Sequence, residues 1–310
     1  MQHEKILVVG ANGQIGTVLL ASLRSHYGEA NVIASDIRQP AEAMPNFVPL
    51  DALNRHTMSS VVRENGITQI YMLAAILSAK GEQNPLQTWD INMTCLFNAL
   101  EVCREFKVKK LFYPSTIAVF GPDTPRVLTP QNTIRNPTTV YGISKVAGEN
   151  WCNYYHLRYG LDVRSVRYPG IIGYQSLPGG GTTDYAVDIF HQALDQQKYT
   201  SFLSADTALP MMYMDDAIRA TIELMDAPAE QIRIRSSYNL AGMSFTPAQI
   251  AEEIRQHIPN FEMSYAPDFR QAIAESWPAS IDDAAARTDW GWQHRFDLPN
   301  MVADMLAHLG

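Results

Sequence analysis

Residues 5–16 read Lys5-Ile6-Leu7-Val8-Val9-Gly10-Ala11-Asn12-Gly13-Gln14-Ile15-Gly16, and an apolar helix pattern follows at Val18, Leu19, Leu20 and Leu23. A β-branched run, a glycine turn and a helix make one strand–turn–helix unit. Glycines let such a turn approach a pyrophosphate closely, and the free N–H groups at the helix start favour its charge. The spacing is Gly-x-x-Gly-x-x-Gly, a weak signal taken alone. A second strand, residues 31–35, ends at Asp36, where an acid that binds ribose hydroxyls belongs. Its carboxylate would accept hydrogen bonds from those hydroxyls and repel a 2′-phosphate, which predicts NAD rather than NADP. Arg38, two residues on, is the neighbour that speaks for NADP.

Working outward, further strands are predicted at 47–50, 70–73, 110–113, 162–168 and 236–240, with helical patterns between most of them. This alternation predicts an α/β fold, a doubly wound parallel sheet covered on both faces. Ligands on such sheets bind beyond the carboxyl ends of the strands. Asp51, Ala74 and Ala75, and Ser115 and Thr116 fall at those ends.

The chain has 310 residues, 46% of them hydrophobic, enough for one large core or a core with a smaller lobe. Its 24 basic and 32 acidic side chains leave a net charge of −8, which argues against a phosphate-neutralising surface for nucleic acid. No apolar run is long enough to span a bilayer. The first strand begins after four residues, which leaves no room for a targeting segment, so a cytoplasmic location is expected. Cys95, Cys103 and Cys152 are odd in number and scattered, and read as buried thiols of a reducing compartment. No His/Cys cluster has ligand spacing, and no metal is expected.

Tyr141 and Lys145 stand four residues apart, which puts a phenol and an ammonium on one helix face. A free tyrosine titrates at about pH 10 and is a poor base at neutrality unless a nearby positive charge favours the phenolate. Lys145 is placed to supply that charge.

Gly10 to Gly16, Asp36, Leu73-Ala74-Ala75, Asn92, Ser115-Thr116, Tyr141 to Lys145 and Tyr168-Pro169-Gly170 occur in one chain order. Together they resemble the extended short-chain dehydrogenase/reductase superfamily, which includes nucleotide-sugar epimerases and dehydratases. The resemblance covers nearly the whole chain. It implies a Rossmann sheet of about seven strands, with Thr116, Tyr141 and Lys145 as the catalytic triad. For the cofactor it implies Gly10, Asn12, Gly13, Gln14, Ile15, Gly16, Asp36, Asp51, Leu73, Ala74, Ala75, Asn92, Lys145, Tyr168 and Ile171. Asn92 is expected in the cofactor or proton-relay network.

Sugar-nucleotide members follow the sixth strand with an Arg-x-x-Asn turn and basic residues for a diphosphate. Here Arg167-Tyr168-Pro169-Gly170 stands instead, and Lys198 is the one cation between Gly170 and Asp216, which predicts a smaller, less anionic substrate. Residues 177–186 (Leu-Pro-Gly-Gly-Gly-Thr-Thr-Asp-Tyr-Ala), 275–283 around Trp277, and Arg287 to Trp292 are similar to the threonine-oxidising, short-chain-type L-threonine 3-dehydrogenase branch. That resemblance implies NAD-dependent oxidation of the 3-hydroxyl of L-threonine to 2-amino-3-oxobutanoate, which decarboxylates to aminoacetone.

The expected substrate contacts are Ser78, Thr116, Tyr141, Gly180, Thr182, Thr183, Asp184 and Trp277. Gly179 to Gly181 suit an anion-binding nest for a carboxylate, and Asp184 an ammonium. The same stretch also reads as a lid hinge with Thr182-Thr183-Asp184 capping the next helix, and Trp277 equally as ordinary core. Residues 1–173, completed by about 213–241, are read as the NAD-binding domain. Residues 174–212 and 242–310 are read as an interleaved substrate lobe. Helices near 86–107 and 141–159 resemble those that join two subunits through a four-helix bundle, so a homodimer is expected. A sugar-nucleotide epimerase or reductase and a noncatalytic NAD sensor stand as alternatives.

Overall fold

The computed structural model describes residues 4–179 and 181–310. Its amino-terminal half alternates as expected: β1 (Ile6–Val9), α1 (Gln14–Tyr27), β2 (Val32–Asp36), β3 (Phe47–Pro49), α2 (Arg55–Asn65), β4 (Gln69–Met72), α3 (Ser78–Gly81), α4 (Pro85–Phe106), β5 (Lys110–Phe112), β6 (Ser115–Thr116), α5 (Val140–Tyr159), β7 (Asp162–Arg164) and β8 (Val166–Tyr168). The remainder is β9 (Gly170–Ile172), α6 (Tyr185–Gln196), β10 (Lys198–Ser201), β11 (Leu209–Tyr213), α7 (Met214–Asp226), β12 (Tyr238–Asn239), β13 (Met243–Phe245), α8 (Pro247–His257), β14 (Glu262–Tyr265), α9 (Arg270–Glu275), α10 (Ala284–Trp290) and α11 (Leu298–Leu309).

The main sheet is six-stranded in the order β3-β2-β1-β4-β5-β7, with every pair parallel. Strand β1 is buried along its whole length, as a continuous apolar run between two helical layers must be. The expected single strand over 162–168 is broken at Ser165, and its second half, β8, pairs with β6 on one side and β12 on the other. The strand expected at 236–240 is therefore the seventh in line, joined through β8 and not through the six-stranded ladder. A mixed sheet β13-β11-β9 and the parallel pair β10-β14 complete the fold.

Two buried apolar clusters lie on the two faces of the main sheet, one with α2, α4 and α5, the other with α1 and α7. A third joins α6, α8, α11 and the mixed sheet to residues 117–120. The order of strands reverses direction between β1 and β4, so the loops after those two strands part and leave a crevice, the usual place for a ligand.

Candidate active site

The loop after β1 is held open by its backbone. Gly10 has φ +94, a conformation L side chains rarely adopt, and a Cβ there would lie 2.8 Å from the Ala74 backbone nitrogen. The Gly10 and Ala11 N–H groups both donate to Ser35 O, which ties the turn to the end of β2. Helix α1 starts at Gly13, whose lack of a side-chain cap leaves the first N–H groups facing outward. Asp36 is 6% exposed and accepts from the Asn12 N–H at 3.0 Å and the Arg38 N–H at 2.9 Å. The Arg38 guanidinium stands 3.6 Å from Asp36 Oδ1, on the solvent side. A buried acid beside a glycine turn at a helix start fits the adenosine end of NAD.

A cavity of about 290 Å³ runs from this turn into the second half of the molecule. It is lined by Gly10, Gly13, Gln14, Ile15 and Gly16 from the turn, Leu73, Ala75 and Ser78 from the β4 loop, and Tyr168 and Ile171 from β8 and β9. Thr116, Tyr141 and Lys145 face the same space, together with Thr182, Thr183, Asp184 and Trp277. Asn12, Asp36, Asp51 and Ala74 are not part of its lining. Asp51 is exposed at the sheet edge, where its Oδ1 accepts from the Leu53 N–H. Gly180 lies outside the described residues.

The start of α5 sets the phase of the central pair. Thr139 caps the helix by accepting from the Gly142 N–H at 3.1 Å. A Cβ on Gly142 would lie 2.2 Å from Ala118 O, so only glycine lets this first turn press against the turn that carries Thr116. The Thr116 hydroxyl accepts from the Ala118 N–H at 3.2 Å, leaving its proton for an oxygen in front of it. Burial pushes the Tyr141 phenol well above its ordinary pKa, and only the hydrogen bond from Thr116 pulls it back.

Lys145 is already engaged within the chain. Its Nζ donates to Pro114 O at 2.6 Å and lies 4.2 Å from the centre of the Tyr113 ring, against 5.7 Å for Tyr141. In this arrangement a backbone carbonyl takes a hydrogen bond from the ammonium, and burial dominates the phenol's pKa. Burial brings the lysine's own pKa down to about 8, and Glu149, one turn further along α5, opposes that only in part.

Asn92 is neither solvent-facing nor on the cavity wall. Its Oδ1 accepts from the Ile76 N–H and its Nδ2 donates to Ile76 O and weakly to Ser144, so it clamps the β4 loop to α5. Both halves of its amide are engaged by Ile76, and the contact to Ser144 ties it to the helix of the tyrosine–lysine pair. Tyr168 turns its hydroxyl away to Thr221 and offers ring and backbone to the cavity.

The segment that follows the glycine run leads into the expected helix. Helix α6 begins at Tyr185 as expected, but Asp184 makes no capping bond to it. Its Oδ2 reaches back to accept from the Gly181 N–H at 2.8 Å, so one of the N–H groups foreseen for a substrate carboxylate is engaged within the chain. Thr182 is 1% exposed and its hydroxyl has no partner among the described residues, which marks it as a polar group aimed at a ligand. Trp277 serves both readings, being 6% exposed in the core and also part of the wall. Sequence reasoning missed Leu77, Lys80, Pro114 and Ile117 on the wall. It also missed Glu149, whose four-residue spacing from Lys145 was the available signal. Glu149 binds Arg167 through two 2.8 Å contacts, Arg135, and Ser115 at 2.6 Å. Burial works against its charge, but these partners hold the carboxyl below its ordinary pKa.

A glycine turn at a helix start, a buried acid after β2 and a tyrosine–lysine pair on α5 define a nucleotide-dependent enzyme of the Rossmann class. The chain belongs to the NAD dependent epimerase/dehydratase family, whose model matches residues 6–241. Within that class it is 48% identical to the mitochondrial L-threonine 3-dehydrogenase of Bos taurus over 312 residues, 99% of this chain and 83% of that protein. The GalE-like L-threonine dehydrogenase of Cupriavidus necator in its holo form is 58% identical with a TM-score of 0.97, covering 99% of this chain and 100% of that one. A monomeric L-threonine 3-dehydrogenase from a metagenome database, in its apo form, is 48% identical with a TM-score of 0.95 and 98% of each chain covered.

Proposed function

We propose that the chain is an enzyme that oxidises the 3-hydroxyl of L-threonine with NAD, giving 2-amino-3-oxobutanoate, which then loses carbon dioxide to form aminoacetone. The observation that carries this reading is one cavity lined both by the glycine turn and by Thr116, Tyr141, Lys145 and Thr182 to Asp184. Close similarity to enzymes named for this reaction supports it. NAD, when bound, accepts the hydride from C3. Gly10, Gly13 to Gly16 and Asp36 hold the cofactor, with Asp51, Leu73, Ala75, Tyr168 and Ile171 around it. Tyr141 takes the hydroxyl proton, and Thr116 orients the oxygen from which it comes. Lys145 supplies positive charge beneath the tyrosine and reaches the nicotinamide ribose once it leaves Pro114 O. Ser78, Thr182, Thr183 and Trp277 enclose the amino acid.

Arg167 lies beneath the site but does not face it, since Glu149, Asn239 Oδ1 and Gln131 O take its donors. This supports a small substrate over a sugar diphosphate. Residues 1–173 with 213–241 form the cofactor unit in this reading, and 174–212 with 242–310 the substrate unit, with Ala286 and Trp292 crossing to pack against α1 and α7 and residues 117–120 crossing to the third cluster. Two copies pair through α4 and α5, where Ile143, Trp151 and Tyr154 on α5 recur at helical spacing as exposed side chains and α4 exposes Trp89. Among the described residues no helix is long and apolar enough to cross a membrane. The three cysteines are free and buried, which supports a reducing compartment, the cytoplasm.

Incubating the protein with NAD and L-threonine, L-serine, 3-hydroxybutyrate or UDP-sugars while following NADH absorbance tests the reading. Threonine should give the fastest turnover. Epimerised UDP-sugar without net NADH, or no turnover with any compound, would overturn it.

A further inference from the structure

An α-amino acid brings a carboxylate and an ammonium on the carbon next to the one oxidised, and the cavity must hold both close to Tyr141. At the Gly181 N–H the carboxylate would meet competition, because Asp184 already accepts that bond at 2.8 Å and a second anion beside it would be repelled. Lys145 donates to Pro114 O and is needed beneath the tyrosine. Among the described residues on the wall, the one other cation is Lys80. Its side chain is exposed, and its ammonium has no hydrogen-bond or ion-pair partner among the described residues.

The turn that carries Lys80 is fixed, and it is fixed beside the reacting group. The Thr88 hydroxyl donates to Gly81 O at 3.0 Å, and Asn92 clamps Ile76 four residues earlier. Glu82 accepts from the N–H of Val140, the residue before Tyr141, at 2.7 Å. Lys80 therefore rises from a short helix abutting the first turn of α5, on the side of the cavity formed by the β4 loop. Asp184 stands on the loop that follows β9, and its Oδ1 carries no hydrogen bond among the described residues.

We propose that Lys80 binds the substrate carboxylate and that Asp184 Oδ1 takes the ammonium, so that two opposite charges, one on α3 and one on the loop after β9, select an α-amino acid zwitterion. The assignment rests on threonine oxidation as the reaction and adds a specificity residue to it. A charged contact made equally in the ground and transition states acts on KM and leaves kcat nearly unchanged.

The test compares wild type, Lys80→Met and Lys80→Arg on L-threonine and on L-threoninamide, whose carboxylate is replaced by a neutral amide. The amide's affinity is read as KM if it is turned over and as a competitive inhibition constant if it is not. Lys80→Met should lower kcat/KM for threonine roughly ten- to hundred-fold through KM, the worth of one charge-assisted contact, with kcat within about threefold. Lys80→Arg should restore most of the loss, while the affinity for the amide changes by less than about twofold in either variant. Equal losses on both compounds, or no loss on threonine, would overturn the assignment and leave the threonine reading intact. Wild type that does not oxidise threonine would overturn both. NAD affinity, followed by quenching of tryptophan fluorescence, should be unchanged and reports that the variants are folded.

Discussion

Replacing Lys145 with methionine separates what the site gains in chemistry from what it costs the fold. The ammonium is 3% exposed, and burial lowers its pKa from 10.5 to about 8. Each pKa unit corresponds to about 1.4 kcal/mol, so keeping the charge buried at pH 7 costs the folded protein about 3 kcal/mol. The folded protein releases this proton from about pH 8, whereas the unfolded chain keeps it to about pH 10. In that window the unfolded state binds more protons, and stability rises with pH. Methionine removes the titration but leaves Pro114 O without a donor, a loss of about 1–2 kcal/mol. Without NAD, Lys145→Met should thus be more stable than wild type by about 1–2 kcal/mol at pH 7, and less stable by a similar amount near pH 10. Urea unfolding of both proteins at pH 7, 8, 9 and 10 measures the difference. A gap that does not change with pH would show that the lysine is not held at a lowered pKa, and the account of its burial would fail. Threonine oxidation should be lost in the variant at every pH.

Tyr141→Phe should cut turnover by about a hundred-fold or more while NAD affinity barely moves; near-normal NADH formation would remove the phenol as the base. Asp36→Asn should weaken NAD and shift the NADP/NAD ratio of kcat/KM upward by roughly tenfold, because it removes a charge that repels a 2′-phosphate and frees Arg38 to meet one. Glu149→Gln should destabilise the protein by about 3–5 kcal/mol in thermal unfolding at pH 7, since it strands the buried Arg167 charge and leaves the half-buried Arg135 unpaired. In wild type that contribution is complete above the ordinary carboxyl value of 4.5 and is lost as the pH falls through the lower folded pKa. Gly142→Ala drives a methyl to 2.2 Å from Ala118 O and should impair oxidation by displacing Tyr141 from Thr116, a defect visible in kcat.

The parts of the fold that were legible are those whose signal is local. An apolar run ending in a glycine turn specifies a buried parallel strand and a helix start within a dozen residues, as at β1, and short apolar runs marked β2, β4 and β5 without the glycine turn. The break at Ser165 has no such signature. It arises because β8 leaves the ladder to pair with β6 and with β12, some 70 residues later, a contact that no periodicity records. Asn92 is similar: one asparagine in an amphipathic helix looks the same whether it faces water or clamps Ile76. The direction of Asp184 also escaped, because a Thr-Thr-Asp start satisfies the helix rules whether its carboxylate points forward along α6 or back to Gly181.

How charge is distributed around the cavity follows from these long-range contacts and bears on the substrate more directly than any motif. Four cations, Lys80, Arg135, Lys145 and Arg167, lie at or beneath the site. Glu149 takes both arginines, at a position four residues from Lys145 and eight from Tyr141 on the same helix face. The arginines thereby become supports for Ser115 and α5, and no longer face outward as binding groups. The cations left on the wall, Lys80 and Lys145, are opposed there by Asp184. A diphosphate would bring about two negative charges to a wall that already holds one and would find no arginine fork to meet them. A zwitterion adds no net charge and places one pole against each side. The fold that serves sugar nucleotides elsewhere in the superfamily is therefore suited here to an amino acid, because one buried glutamate withdraws two guanidinium groups from the cavity.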